Sequence, residues 1–166
     1  MKIIGYQEIH DIVFRSSSVE KTDKFKILME KLNPKTIIEI GTYKGLSTAV
    51  LASIAEKVYT FDIEYQPITK EIWRLLDVNE KIEYRIIEDI SEIKIYLENI
   101  KFDFAFMDAE HQDYEFIRRL FNMLFEAGIK RILVDGAEER FLPTLRLVSE
   151  ENMKRLNQDQ AYWEGK

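Results

Sequence analysis

Thr36-Ile-Ile-Glu39-Ile-Gly41-Thr42-Tyr-Lys-Gly45-Leu-Ser47-Thr48 decides how this chain folds. An apolar, β-branched run meets an acidic residue, then two glycines spaced G-x-x-x-G, then a helix start. A parallel strand hands its backbone to a helix in this way, across the place where a nucleotide-like ligand sits. Glycine allows a turn with positive φ and lets a ligand approach the main chain. The amides that open the next helix favour a negative group. A dinucleotide fingerprint would read G-x-G-x-x-G after the strand. Here Tyr43 and Lys44 fill the middle of the turn, which makes a poor pyrophosphate cradle and leaves a smaller carboxylate as the better fit.

Working outward, the pattern alternates. Upstream, residues 6 to 14 read as a short helix, Ser18 as an N-cap, and Phe25, Leu28, Met29 and Leu32 as one face of a helix stopped by Asn33-Pro34. Downstream, Leu46, Val50, Leu51 and Ile54 mark a helix face. Strands are expected at 57–63, 82–87, 102–107 and 129–134, with helices at 68–77, 91–99 and 114–127, the last closed by Gly128. A final helix is expected over 143–156. Five strands alternating with helices predict an α/β protein: a parallel sheet with helices on both faces and right-handed crossovers.

Net charge of -6 argues against general nucleic-acid binding. With no cysteine, thiol nucleophiles and zinc thiolate sites are excluded. No apolar h-region opens the chain and no stretch is long enough to span a bilayer, so the expectation is a cytoplasmic protein without a membrane partner. One domain is expected over 1–166: N-terminal helices at 1–32, a cofactor-binding core at 33–136, and a C-terminal helix and tail at 137–166.

Glu39-Ile-Gly41-Thr-Tyr-Lys-Gly45-Leu-Ser47-Thr48 resembles motif I of class I S-adenosylmethionine (SAM) methyltransferases, in the form found in small-molecule O-methyltransferases of the catechol and caffeoyl-CoA type. Phe102-Asp-Phe-Ala-Phe-Met-Asp108-Ala-Glu-His111-Gln-Asp-Tyr114 resembles the same family's segment at the end of the fourth strand. The resemblance implies a Rossmann-like sheet of strand order 3-2-1-4-5, SAM as cofactor and a hydroxyl-bearing small molecule as acceptor.

Ligands of open α/β sheets bind beyond the carboxyl ends of the strands, where the strand order reverses. Glu39, Asp62, Glu88, Asp89, Asp108 and Asp135 all fall at such ends. On the resemblance, Gly41, Thr42 and Gly45 lie under the methionine part of SAM, Ser47 donates to its carboxylate and Glu39 meets its amine directly or through water. The competing reading is an ordinary strand-to-helix turn with a capping Ser. Asp62 can accept both ribose hydroxyls, since an acceptor pair matches a vicinal diol; its alternative is an N-cap. Ile63 could pack on adenine, and Asp89 or Glu88 could accept from the adenine amino group, or both acids are solvated loop residues. Asp108 and His111 are the catalytic candidates, His111 as base for a hydroxyl acceptor, with helix capping as its alternative. In metal-dependent relatives the residue matching Asp108 binds a divalent ion with an Asp-Asn pair. Here Asp135-Gly136 replaces that pair, so Asp108 and Asp135 would hold Mg²⁺ or another divalent cation with waters, helped by Glu138 or Glu139, or would act as caps without metal.

The family normally adds a C-terminal antiparallel hairpin. The tail predicts it reduced or missing, with room for at most one short strand. Strand five would then be an exposed edge, covered by a homo-oligomer partner, in a shortened or minimal version of the fold. A non-catalytic SAM-binding or assembly module is therefore the alternative to the methyltransferase. A nucleotide-binding oxidoreductase is disfavoured by Tyr43.

Overall fold

The computed structural model describes residues 19–109, 113–135, 153–155 and 160–164. Helix α1 (Val19–Leu32) leads into β1 (Thr36–Ile40). Asn33 ends α1 with φ 45, its backbone N–H donating a hydrogen bond to the Met29 carbonyl at 2.8 Å, before Pro34. The Asp103 carboxylate then accepts the amides of Lys35 and Thr36, which ties the start of β1 to the start of the fourth strand.

After β1 come α2 (Leu46–Ile54), β2 (Lys57–Asp62), α3 (Pro67–Leu75), β3 (Ile82–Ile86), a 3₁₀ turn (Ile90–Ile93) running into α4 (Lys94–Asn99), β4 (Phe104–Met107), α5 (Tyr114–Glu126) and β5 (Arg131–Asp135). These five strands are parallel, in the order β3-β2-β1-β4-β5. Both faces are covered, as an all-parallel sheet requires. Alternation along each strand sorts the core into two layers. Ile37, Phe104, Phe106 and Leu133 pack with Met29, Val50, Leu51, Ile72 and Trp73 of α1, α2 and α3. Ile38, Ile40, Ala105, Met107, Ile132 and Val134 pack with Ile93, Ile117, Leu120, Phe121 and Leu124 of the opposite face. Each fully buried large side chain of these layers contributes about 1.5–3 kcal/mol.

The C-terminal hairpin is reduced, as the expectation allowed, but it holds two strands where at most one short strand was expected. Two strands, β6 (Met153–Arg155) and β7 (Gln160–Glu164), follow β5. β7 pairs antiparallel with β5 from Arg131↔Glu164 to Asp135↔Gln160, and β6 pairs antiparallel with β7. The hairpin is short but present, so strand five is no edge and needs no second subunit to cover it. The expected helix over 143–156 is overturned at 153–155, while its remainder lies outside the described residues. A three-residue strand of Met-Lys-Arg carries too little alternation to register as β, yet the ladder bonds offered by β7 are enough to fix it. The 6–14 helix and the Ser18 cap also lie outside the described residues. No helix among the described residues is long and apolar enough to cross a membrane.

Candidate functional site

The strand order reverses between β1 and β4; Glu39, Asp62, Asp108 and Asp135 lie at or next to the ends of β1, β2, β4 and β5 around that point, whereas Glu88 and Asp89 follow β3, at the far edge of the sheet. Glu39 is buried completely, on the α2 side of β1. Three hydroxyls surround its carboxyl: Ser47 donates to Oε1 at 2.7 Å, Thr48 to Oε2 at 2.5 Å and Thr60 to Oε2 at 2.6 Å. Burial raises the Glu39 pKa to about 7, against the opposing pull of these hydrogen bonds. Thr60 gives its only proton to Glu39, so the 2.6 Å contact between the Thr42 and Thr60 hydroxyls runs from Thr42 to Thr60. Ser47 is half-buried at the rim of this network. While Glu39 is ionised, the Ser47 proton points at that carboxylate and the hydroxyl has only lone pairs left to offer. The sequence reading has Ser47 donating to a ligand carboxylate; here its proton goes to Glu39.

Gly41 and Gly45 take φ values of 96 and 78, the left-handed region that glycine enters without penalty. Each also has a packing reason. A Cβ on Gly41 would lie 2.1 Å from the Asp108 carbonyl oxygen, because β4 ends against the turn. A Cβ on Gly45 would meet Thr69 at 2.6 Å and the Trp73 indole nitrogen at 2.7 Å. Tyr43 enters the same region at φ 46 with its ring exposed.

Asp62 lies beneath the turn. Its Oδ2 accepts the amides of Thr42 at 2.9 Å and Tyr43 at 2.7 Å, and its Oδ1 those of Ile63 and Glu64 at 2.7 and 3.1 Å. Four donors match the four acceptor positions of a carboxylate. A ribose diol would therefore have to displace or share with the Ile63 and Glu64 amides, which belong to exposed residues. Ile63 is 77% exposed beside Asp62, an open apolar surface at the expected adenine position.

Asp89 caps the 3₁₀ turn: its Oδ1 accepts the Ser91 amide at 2.8 Å, and Glu92 reaches back to the amides of Glu88 and Asp89. The hydrogen bonds from Ser91 hold its carboxyl below the usual range. Capping thus occupies one oxygen of this adenine candidate, and Glu88 is exposed next to it. Met107 pairs with Val134, so Asp108 and Asp135 follow adjacent strands at the same level. Both are half-buried. No group of three or more His, Asp or Glu that could hold a metal occurs among the described residues. His111, Gly136, Glu138 and Glu139 lie outside them.

Sequence reading missed Thr48, Thr60, Thr69 and Trp73. Thr60 carried a usable signal: it is a polar residue in the middle of an apolar strand, and β2 pairs it with Glu39.

The profile of the family described as "O-methyltransferase" matches residues 8–137. The chain belongs to that family. A relative named "Probable caffeoyl-CoA O-methyltransferase 2" from Dictyostelium discoideum is 32% identical over 120 residues, covering 68% of this chain and 52% of the relative. The chain thus matches about half the length of that protein. Among solved structures, the O-methyltransferase TomG from Streptomyces achromogenes, in complex with SAM, superposes with a TM-score of 0.69 at 16% identity, over 99% of this chain and 88% of that one. The O-methyltransferase from Bacillus cereus, in complex with S-adenosylhomocysteine (SAH), gives 0.66 at 17% identity, over 96% of both chains. These likenesses show the fold: a Rossmann-like sheet shared with those proteins.

Proposed function

We propose that this protein binds SAM across the carboxyl ends of β1, β2 and β4 and transfers its methyl group to a hydroxyl of a small molecule. The observation that carries the reading is the buried Glu39 carboxyl behind Ser47, at the point where the strand order reverses. An anion held there with an acceptor hydroxyl in front of it suits an amino-acid ammonium. The methionine carboxylate then lies toward the start of α2, where helix geometry favours negative charge. Asp62 takes the ribose through Oδ1 and keeps Oδ2 on the turn. Ile63 lies under the adenine, with Asp89 or Glu88 near its amino group.

SAM supplies an electrophilic methyl group on a sulfonium. The protein's part is to align the acceptor oxygen with that methyl and to exclude water. Asp108 stands at the end of β4 against Gly41, beside the turn, and His111 is three residues further along the chain. These two are the candidates to orient the acceptor and take its proton. Asp108 and Asp135 offer hard oxygen donors from neighbouring strands, suited to Mg²⁺ with water completing its shell; such an ion would polarise the acceptor oxygen. The binding-module alternative rested on a lost C-terminal hairpin, and β6 and β7 remove that support.

Calorimetry with SAM, SAH and NAD tests the cofactor: binding of the first two without NAD is expected, and absence of SAH binding sinks the proposal. A methyl-transfer screen over phenols and catechols, with Mg²⁺ or with EDTA, tests the chemistry. Asp108→Ala and His111→Ala should keep SAH affinity and lose turnover.

A further inference from the structure

We propose that Thr69 and Trp73 of α3 are positioning residues for the cofactor, holding the turn after β1 in its binding shape from the side opposite Asp62. This inference rests on the SAM reading above. The turn's polar backbone is gripped at both ends of its peptide dipoles. Asp62 takes the amides of Thr42 and Tyr43. On the carbonyl side, the Thr69 hydroxyl donates to Tyr43 O at 3.2 Å, and the Trp73 indole N–H donates to Gly45 O at 2.7 Å. Both donors are buried, Thr69 at 0% and Trp73 at 1% exposure. Trp73 is itself held from behind by an edge-on contact with Tyr84, their centroids 5.4 Å apart.

Two features make this more than helix packing. Gly45 is closed to any side chain by these same two residues, so the turn and α3 fit only with glycine there. The turn also carries a residue that resists its shape, Tyr43 at φ 46. A non-glycine residue in the left-handed region costs about 1–2 kcal/mol and persists only where its surroundings hold it. The Tyr43 amide and carbonyl are the groups that Asp62 and Thr69 hold. Released from α3, the turn relaxes, and Ser47 with the start of α2 moves away from the cofactor. Tightening or loosening this grip therefore changes cofactor affinity without any contact between α3 and the cofactor.

The test uses the full chain with SAH as probe. Thr69→Val removes the hydroxyl and keeps the shape; Thr69→Ser restores it; Trp73→Phe keeps an aromatic ring but loses the N–H together with part of the indole's buried volume. Losing one hydrogen bond at the turn should raise the SAH dissociation constant about three- to tenfold in Thr69→Val and Trp73→Phe, with Thr69→Ser close to wild type. In a Trp163→Phe background, Trp73 is the remaining tryptophan, and its emission should shift on titration with SAH. A purely structural role would lower the melting temperature, leave affinity intact and leave the emission unmoved by SAH; that result overturns the inference. Wild-type protein that fails to bind SAH at all overturns the cofactor reading instead, so the two failures are distinct. Should Trp73→Phe not fold, the Thr69→Val and Thr69→Ser pair decides alone.

Discussion

Thr60 faces Glu39 across the β1–β2 register and donates its hydroxyl to the buried carboxyl at 2.6 Å. Burial alone would push the Glu39 pKa above about 7, and this bond is one of three that restrain it. Thr60→Val removes the donor at nearly constant shape. It should destabilise the protein by about 1–3 kcal/mol at pH 8, where Glu39 is ionised, and by less at pH 5, where it is protonated. Urea midpoints at the two pH values measure the difference; an equal loss at both would detach Thr60 from the ionisation of Glu39.

The same carboxyl predicts how wild-type stability varies with pH. Glu39 rises from an ordinary 4.5 to about 7 on folding. The native state therefore holds its proton more tightly than the unfolded chain. This contribution to stability is fully present below pH 4.5 and is lost as pH rises through about 7. Its size is about 3 kcal/mol. Glu39→Gln should flatten the slope between pH 5 and pH 7.5 in denaturant titrations. If the variant keeps the wild-type slope, Glu39 does not titrate in this window.

Two glycines separate strain from collision. Gly128 follows α5 with φ 83, and nothing lies within 4 Å of where its Cβ would be. Gly128→Ala should cost about 1–2 kcal/mol, the conformational penalty alone. Gly41→Ala adds a collision with backbone, the Asp108 carbonyl at 2.1 Å, which has no rotamer to retreat into. Its cost should be several times larger, read as lost soluble expression or a collapsed melting transition. Comparable melting temperatures for the two variants would show that β4 can give way at the turn.

Lys81 reaches from the start of β3 to the far end of α2. Its ammonium donates to the carbonyls of Ala52 and Ala55, both at 3.0 Å. These groups close the helix that opens at the candidate site, and a cation there also meets the negative end of the helix dipole. Lys81→Met keeps the apolar stem and should cost about 1–2 kcal/mol. Thermal melting checks this; a shift under about 1 °C would mean that water replaces the ammonium without loss.

The core of the fold was legible because its strands are short apolar runs ended by charged or glycine residues. Each of the five parallel strands lies within two residues of its expected place. Their order was not in the spacing; it came from the resemblance to a family. The C-terminal strands were invisible because Lys154 and Arg155 give no apolar alternation, and β7 is fixed by its long-range register on β5 rather than by local preference. At the site, the acids at the strand ends were legible by type, but their partners were not. Ser47 and Asp62 were read as aimed at a ligand, whereas the structure commits the Ser47 proton to Glu39 and all four Asp62 contacts to backbone amides. Such pairings depend on how β2 and α3 pack against the turn, which no local pattern encodes.

Proton release on cofactor binding joins the Glu39 chemistry to the proposed function. In the free protein Glu39 is mostly protonated at pH 6, below its pKa of about 7. An ammonium accepted by Ser47, whose hydroxyl is bonded to the carboxyl at 2.7 Å, favours the ionised form. Binding then lowers the pKa and expels a proton, approaching one per site at pH 6 and falling toward none from this group at pH 8. Affinity for SAH should rise correspondingly between the two. Calorimetry at each pH in two buffers of different ionisation enthalpy measures the protons directly, and Glu39→Gln is the control that should release none from this group. Equal proton counts in wild type and variant at pH 6 would place the cofactor's amino group away from Ser47 and Glu39, even if SAH binds well.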